Sequence, residues 1–272
     1  KLEDIDVPKP AGAQVLVKVE SAGVCHSDLH LWEGGYAGPK GVFMKVEDRG
    51  VKFPLTPGHE VAGTITEMGP DVKGFSKGER VLVYPWIGEG SCPACLAGDE
   101  NLCDAPKSLG VYQDGGYGEY ALVPNFKYLV KLGDFDPSAA ASLACSGLTA
   151  YTAVKKAAVK DGETLVIIGA GGLGLMAVQV AKAITKARVA IVDIDDKKLA
   201  EAKRLGADIT VNSGDPVQNV KDLTGGLGAE AVIDFVNNGK TAPNSFNMQR
   251  KRGKLIMVGL FGGSMEINLP LI

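Results

Sequence analysis

At 272 residues the chain is long enough for two domains, and its formal net charge of −3 leaves no basic surplus to draw nucleic acid or an anionic membrane. No stretch approaches the ~18 apolar residues of a membrane-spanning helix, and no signal peptide opens the sequence. Five cysteines, an odd number at spacings suited to metal, argue for reduced thiols in a cytoplasmic protein rather than a disulfide framework.

As far as about Leu132 the texture is β-rich and punctuated by Gly and Pro, with strands predicted at Gln14–Val19, Val61–Met68, Arg80–Tyr84 and Tyr117–Val123. After the first of these comes Val24-Cys25-His26-Ser27-Asp28-Leu29-His30, which packs a thiol, two imidazoles, a hydroxyl and a carboxylate together. A polar surface turn would explain that stretch if it stood alone. Gly58-His59-Glu60 sets another imidazole beside a carboxylate, and the three histidines of the chain all fall in these two motifs. Next, Glu89, Cys92, Cys95 and Cys103 form E-x2-C-x2-C-x7-C. Three thiolates and a carboxylate can close a tetrahedron around Zn²⁺ with no open position, as structural sites do. Free thiols, or a disulfide with one cysteine left over, is the competing reading.

From Pro137 strands alternate with helices, which predicts a parallel, doubly wound sheet. Pro137–Ala158 reads as helix, with Gly147 a point of interruption, and the domain boundary is placed there: 1–147 and 148–272. Cys145 by itself resembles a small buried hydrophobic residue. Counted with Cys25 and His59, it completes a Cys2His set, the three protein ligands of a catalytic zinc with an open fourth position.

The second half is built around the strand Leu165–Ile168, the turn Gly169-Ala170-Gly171-Gly172-Leu173-Gly174, the helical run Leu175–Ala183, and a strand Val189–Val192 ending on Asp193. Glycine turns are common, but this one lies between strand and helix, with an acid 24 residues after its first glycine. That is the context of the dinucleotide fingerprint. Gly169 would permit the turn, Gly171 backbone approach to a pyrophosphate, and Gly174 close helix–strand packing. Gly172 and Leu173 would contribute helix N-terminal amides, and Asp193 would bond the adenosine ribose hydroxyls and repel a 2′-phosphate, favouring NAD over NADP. Lys198 follows on the next helix, Lys197–Leu205, as a further cofactor-binding candidate. Strands are then predicted at Ile209–Asn212, Ala231–Val236 and Lys254–Leu260.

These residues together resemble the zinc-dependent medium-chain alcohol dehydrogenases, most closely the archaeal members. The resemblance is carried by Gly23–Asp28, by the zinc signature G-H-E-x2-G-x5-G-x2-V at Gly58–Val72, by the cysteine cluster with Glu89, and by the fingerprint. Asp114–Tyr120 and Cys145–Thr149 match as well. It implies an α/β protein with a GroES-like β-rich domain and a Rossmann domain, two zinc ions per chain, and hydride transfer between a primary or secondary alcohol and NAD. It also implies roles. Cys25, His59 and Cys145 bind catalytic zinc with Glu60 behind it, Asp28 accepts the free N–H of His59, Ser27 and His30 carry the alcohol proton away, and His26 lies against the pyrophosphate. A polyol or sugar dehydrogenase of the same family, or an inactive cofactor-binding protein, is the alternative. Partners would be a small alcohol or carbonyl compound and, in the full-length form, further copies as a dimer or tetramer. Family chains are longer, so this sequence, which opens on Lys1, reads as truncated at both ends, mostly the C-terminal one; a sixth strand of the nucleotide sheet is expected there.

Overall fold

The computed structural model describes residues 2–38, 41–212, 214–268 and 270. The chain divides into two units, residues 1–35 with 45–145 and residues 36–44 with 146–272. Up to residue 145 the elements are β1 (Val15–Gly23), α1 (His26–Glu33), the short strands β2 (Gly35–Ala37) and β3 (Phe43–Lys45), β4 (Glu60–Met68), β5 (Arg80–Val83), α2 (Pro93–Leu96), β6 (Tyr120–Val123), β7 (Leu129–Lys131) and α3 (Pro137–Ala140). Five of these strands form an antiparallel sheet in the order β6-β1-β4-β5-β7, while β2 pairs with β3. Val15 and Val17 of β1, Val61 and Ile65 of β4, Val81 and Val83 of β5, and Ala121 and Val123 of β6 share one core, because residues two apart on a strand face the same way.

The second unit continues with α4 (Ser146–Ala157), β8 (Thr164–Ile168), α5 (Gly172–Ile184), β9 (Arg188–Asp193), α6 (Asp196–Arg204), β10 (Ile209–Asn212), α7 (Pro216–Leu223), β11 (Ala229–Asp234), α8 (Thr241–Asn247) and β12 (Gln249–Met257). The five described strands are parallel, in the order β10-β9-β8-β11-β12. Their near-continuous Val/Ile runs follow from burial on both faces. Leu165, Ile167, Val189, Ile191 and Ile233 pack with α4, α5 and α6; Val166, Ile168, Ala190, Val192 and Val232 pack on the other side with Val220 of α7 and Met248. Burying each such side chain contributes roughly 1.5–3 kcal/mol.

Several boundaries differ from the sequence expectation. The strand predicted from Tyr117 starts at Tyr120, because the amides of Gly115, Gly116 and Tyr117 donate instead to the carbonyls of Thr56, Gly58 and Pro57. The helix predicted over Pro137–Ala158 breaks at Cys145 rather than Gly147, after a 3-10 turn at Ala141–Ala144. β12 begins five residues before the predicted Lys254 and ends at Met257, since the amides of Val258 and Gly259 turn to the Asp234 carbonyl. Helices α1, α2, α7 and α8 were not expected. α7 carried a signal: the Asp215 side chain caps the amide of Gln218, and Pro216 takes the first helical position.

Candidate metal centres and dinucleotide site

The first cluster is assembled where three elements begin. Gly23 ends β1, and Cys25 caps α1 in an extended conformation. His59 directly precedes β4, whose first residue is Glu60. Cys145 stands at the break between the 3-10 turn and α4. One ligand atom from each of Cys25, His59, Glu60 and Cys145 lies within 4.8 Å of the others. The two sulfurs are 4.0 Å apart, twice a disulfide bond and close to the separation of about 3.8 Å that two Zn–S bonds of about 2.3 Å give in a tetrahedron.

The polar atoms also fit a cation. His59 is fully buried, and its Nε2 has no hydrogen-bond partner among the described residues. An unsatisfied buried group of this kind costs about 1–3 kcal/mol, which a metal bond removes. Its Nδ1 faces Asp28 Oδ1 at 3.3 Å, an ion-pair distance outside hydrogen-bond geometry. Burial opposes a charge on the ring, yet the Asp28 carboxylate and Cys25 hold His59 up at about 9. Cys25 is brought down to about 4, first by the hydrogen bond from Cys145 and, against burial, by His59. Cys145 is pushed up, first by Cys25 and then by burial. Both sulfurs can be thiolates at this separation only with a cation between them.

Neighbours hold these candidate ligands in place. Trp86 packs its ring 5.4 Å from that of His59, and its Nε1 donates to the Ala144 carbonyl at 3.2 Å, so one side chain braces two ligand segments. Gly23 has room for no side chain: a Cβ there would lie 1.9 Å from Glu60 Oε2. Neither role was read from the sequence. Ser27 and His30 lie on α1 with His26, whose ring sits edge-on 4.8 Å from that of His30; His26 is exposed and the other two half-buried.

The second cluster brings together the other four predicted residues, Glu89, Cys92, Cys95 and Cys103, again with ligand atoms within 4.8 Å. Cys92 and Cys103 sulfurs are 3.7 Å apart, and all five cysteines are free. Backbone amides point at the sulfurs: Glu89 N–H at Cys103 and Gly90 N–H at Cys95, both at 3.4 Å, and Cys95 N–H at Cys92, at 3.5 Å. The Glu89 amide leads in bringing the Cys103 thiol down, while burial pushes Cys95 up to about 11. Glu89 accepts from the Ser91 hydroxyl at 2.6 Å and from the amides of Ser91 and Cys92. The lobe is tied down through Glu100, which accepts from the Gly88 amide, the Tyr128 hydroxyl and the Lys127 ammonium.

In the second unit the glycine turn divides its labour sterically. Gly169 has φ +93°, and a Cβ on Gly174 would sit 1.8 Å from the Gly169 carbonyl oxygen. Gly171 and Gly172 would meet nothing within 4 Å, so the protein itself does not require glycine there. Their bareness leaves the start of α5 open to a ligand, and the first-turn amides of Gly172, Leu173 and Gly174 have no intrahelical acceptor. Asp193 ends β9, accepting from the Ala170 amide at 2.6 Å and the Asp195 amide at 2.9 Å. It therefore holds the turn as well as facing it. Lys198 is exposed on the first turn of α6.

The family model of the alcohol dehydrogenase GroES-like domain matches residues 11–134, and that of the zinc-binding dehydrogenases residues 172–272. The chain is 51% identical over 275 residues to an NAD-dependent alcohol dehydrogenase of Sulfurisphaera tokodaii, covering all of this chain and 78% of that one. Among solved structures it is similar to the alcohol dehydrogenase of Aeropyrum pernix, with TM-score 0.89 and 38% identity over 99% of this chain and 78% of that one. It is also similar to the D-arabinose dehydrogenase of Sulfolobus solfataricus, with TM-score 0.87 and 33% identity over 97% and 80%.

Proposed function

The chain belongs to the zinc-dependent alcohol dehydrogenase family, and from that premise we propose how its residues divide the work of NAD-dependent interconversion of an alcohol and its aldehyde or ketone. The observation that carries the reading is the closing of Cys25, His59, Glu60 and Cys145 around one point, with a buried imidazole nitrogen lacking a partner there. Cys25, His59 and Cys145 would hold a catalytic zinc, with Glu60 beside them; Glu89, Cys92, Cys95 and Cys103 would hold a second, structural one. Bound zinc supplies Lewis acidity, which makes an alcohol hydroxyl easier to deprotonate. Asp28 orients His59. Ser27 and His30 would pass the released proton toward solvent, and bound NAD would supply the acceptor for hydride from the carbinol carbon. Gly169–Gly174 cradle the pyrophosphate, Asp193 holds the adenosine ribose, and His26 and Lys198 add to cofactor binding. The free thiols fit a reducing compartment such as the cytoplasm, and a homo-oligomer, dimer or tetramer, is the assembly to look for by light scattering. Metal analysis together with NAD reduction on a panel of simple alcohols, sorbitol and D-arabinose tests the reading. Two zinc ions per chain and turnover of simple alcohols are expected; turnover of the sugars alone would make it a sugar dehydrogenase.

Two outcomes follow from the site. Burial, followed by the nearby His26, lowers the pKa of His30 below that of an ordinary histidine, so at pH 7 it is neutral and able to accept a proton. His30→Gln removes that acceptor. We expect kcat/KM at pH 7 to fall about tenfold to a hundredfold and to recover as pH rises and solvent base takes over. A pH profile parallel to that of the unaltered enzyme would exclude His30 from the relay. Asp193→Gly removes the charge facing the 2′ position, and the NAD-to-NADP ratio of kcat/KM should fall roughly tenfold or more. Because the same carboxylate holds the Ala170 amide, affinity for both cofactors should weaken too. An unchanged ratio would remove Asp193 from the ribose site.

A further inference from the structure

The Asp28 carboxylate has four positions at which to accept a hydrogen bond; three are used, and the fourth faces the His59 ring. Oδ2 accepts from the Cys25 amide at 2.9 Å and from the Tyr117 hydroxyl at 2.9 Å; Oδ1 accepts from the Gly58 amide at 3.3 Å and faces His59 Nδ1 at 3.3 Å. Three of the four neighbours belong to ligand segments: the amide of Cys25, the amide preceding His59, and the His59 ring. The fourth, Tyr117, comes from the loop before β6. That loop is fastened in register to the segment preceding His59. The Thr56 amide donates to Asp114 Oδ1 at 2.8 Å, and the amides of Gly115 and Gly116 return to the carbonyls of Thr56 and Gly58, both at 2.7 Å. The Tyr117 ring lies over Gly58, where φ is +94° and a Cβ would come within 2.6 Å of the ring. The hydroxyl also reaches the Gly23 carbonyl at 3.1 Å, the last residue of β1 before the Cys25 turn. One phenol thus touches the turn before Cys25, the glycine before His59 and the carboxylate between them.

We propose that Tyr117 is a positioning residue of the Cys25/His59/Cys145 metal site, its hydroxyl locking Asp28 so that the carboxylate sets Cys25 and His59 in the geometry that grips the metal. The inference rests on the zinc reading of that site and says why the Asp114–Tyr117 loop carries two glycines followed by a tyrosine. Gly115 lets the loop lie against the Gly58 backbone, Gly116 leaves room for the Val61 side chain, and the phenol then reaches Asp28. Partners behind a metal's own ligands commonly set its affinity within a factor of ten to a hundred. Tyr117 is 38% exposed, so water competes for its bond and the lower end of that range applies.

Tyr117→Phe keeps the ring over Gly58 and removes only the hydroxyl. In the zinc-loaded enzyme, transfer of the metal to a chromophoric chelator should become about tenfold faster for one ion per chain and stay unchanged for the other. With Co²⁺ at the first site, the ligand-field bands should shift. In an Asp28→Asn background the same substitution should add little, since both act through one carboxylate. Release within twofold of the unaltered enzyme, or cobalt bands that do not move, would overturn the proposal, as would a full Tyr117→Phe effect on top of Asp28→Asn. The cobalt spectrum of the single variant decides the matter if Asp28→Asn does not fold. An unaltered enzyme that holds no metal at Cys25 and His59 would overturn the zinc reading and this inference together; normal loading with an unmoved Tyr117→Phe would overturn this inference alone.

Discussion

Cys25→Ser should lower alcohol oxidation by about four orders of magnitude, remove one zinc ion per chain, and leave the far-ultraviolet circular dichroism unchanged. A factor of 10⁴ corresponds to roughly 5.4 kcal/mol of lost transition-state stabilisation, within what a Lewis acid supplies to a developing negative charge. The local geometry explains why the loss is so specific. Cys25 is the residue of the set that the surroundings already favour as a thiolate, and the hydroxyl of serine has no comparable acidity. Its capping role survives, since the Cys25 amide keeps its bond to Asp28 and a serine hydroxyl can replace the thiol as acceptor for the Asp28 amide. Metal content and turnover should therefore fall together while the fold persists. Turnover above a tenth of normal, or unchanged metal content, would remove Cys25 from the site.

Cys103→Ser should act in the opposite sense, on stability rather than on chemistry. Residues 88–103 contain only two short helical turns, α2 and Glu100–Leu102, and little apolar core of their own. A lobe of that kind depends on its metal, because binding energy there is folding energy. An ion present at about 1,000 times its Kd stabilises by about 4 kcal/mol. For a domain of this size its loss should lower Tm by roughly 10 °C. Activity per folded molecule at 25 °C should stay within about twofold of normal, since the ligands of the first site lie elsewhere and Glu100 still ties the lobe to Tyr128, Lys127 and the Gly88 amide. A chelator that strips only the second ion from the unaltered enzyme should reproduce the shift. An unchanged melting curve would make the cluster a set of ordinary thiols.

The cysteine cluster and the glycine turn were legible as candidate sites because both are written in local spacing. Cys92, Cys95 and Cys103 come close through local chain geometry alone, and the order strand, glycine turn, helix, strand and acid from Leu165 to Asp193 leaves one sensible arrangement. Asp193 was legible as an acid at a strand end, but its bond to the Ala170 amide was not, because that contact spans 23 positions.

What the sequence by itself determined, then, is which residue types are available at which local spacings, and the alternation of apolar positions that makes one half antiparallel sheet and the other a parallel sheet with helices. Only the tertiary structure decided the rest. It brought Cys25 and Cys145, 120 positions apart, to 4.0 Å, broke the predicted helix at Cys145 so that its thiol could join them, and set Trp86 against His59. It also turned Tyr117 out of its expected strand and onto Asp28. The physical reason is the same in each case. Periodicity and propensity act over a few residues, whereas these contacts are chosen by the pairing of backbone amides and buried charges between segments that meet only when the sheet has formed.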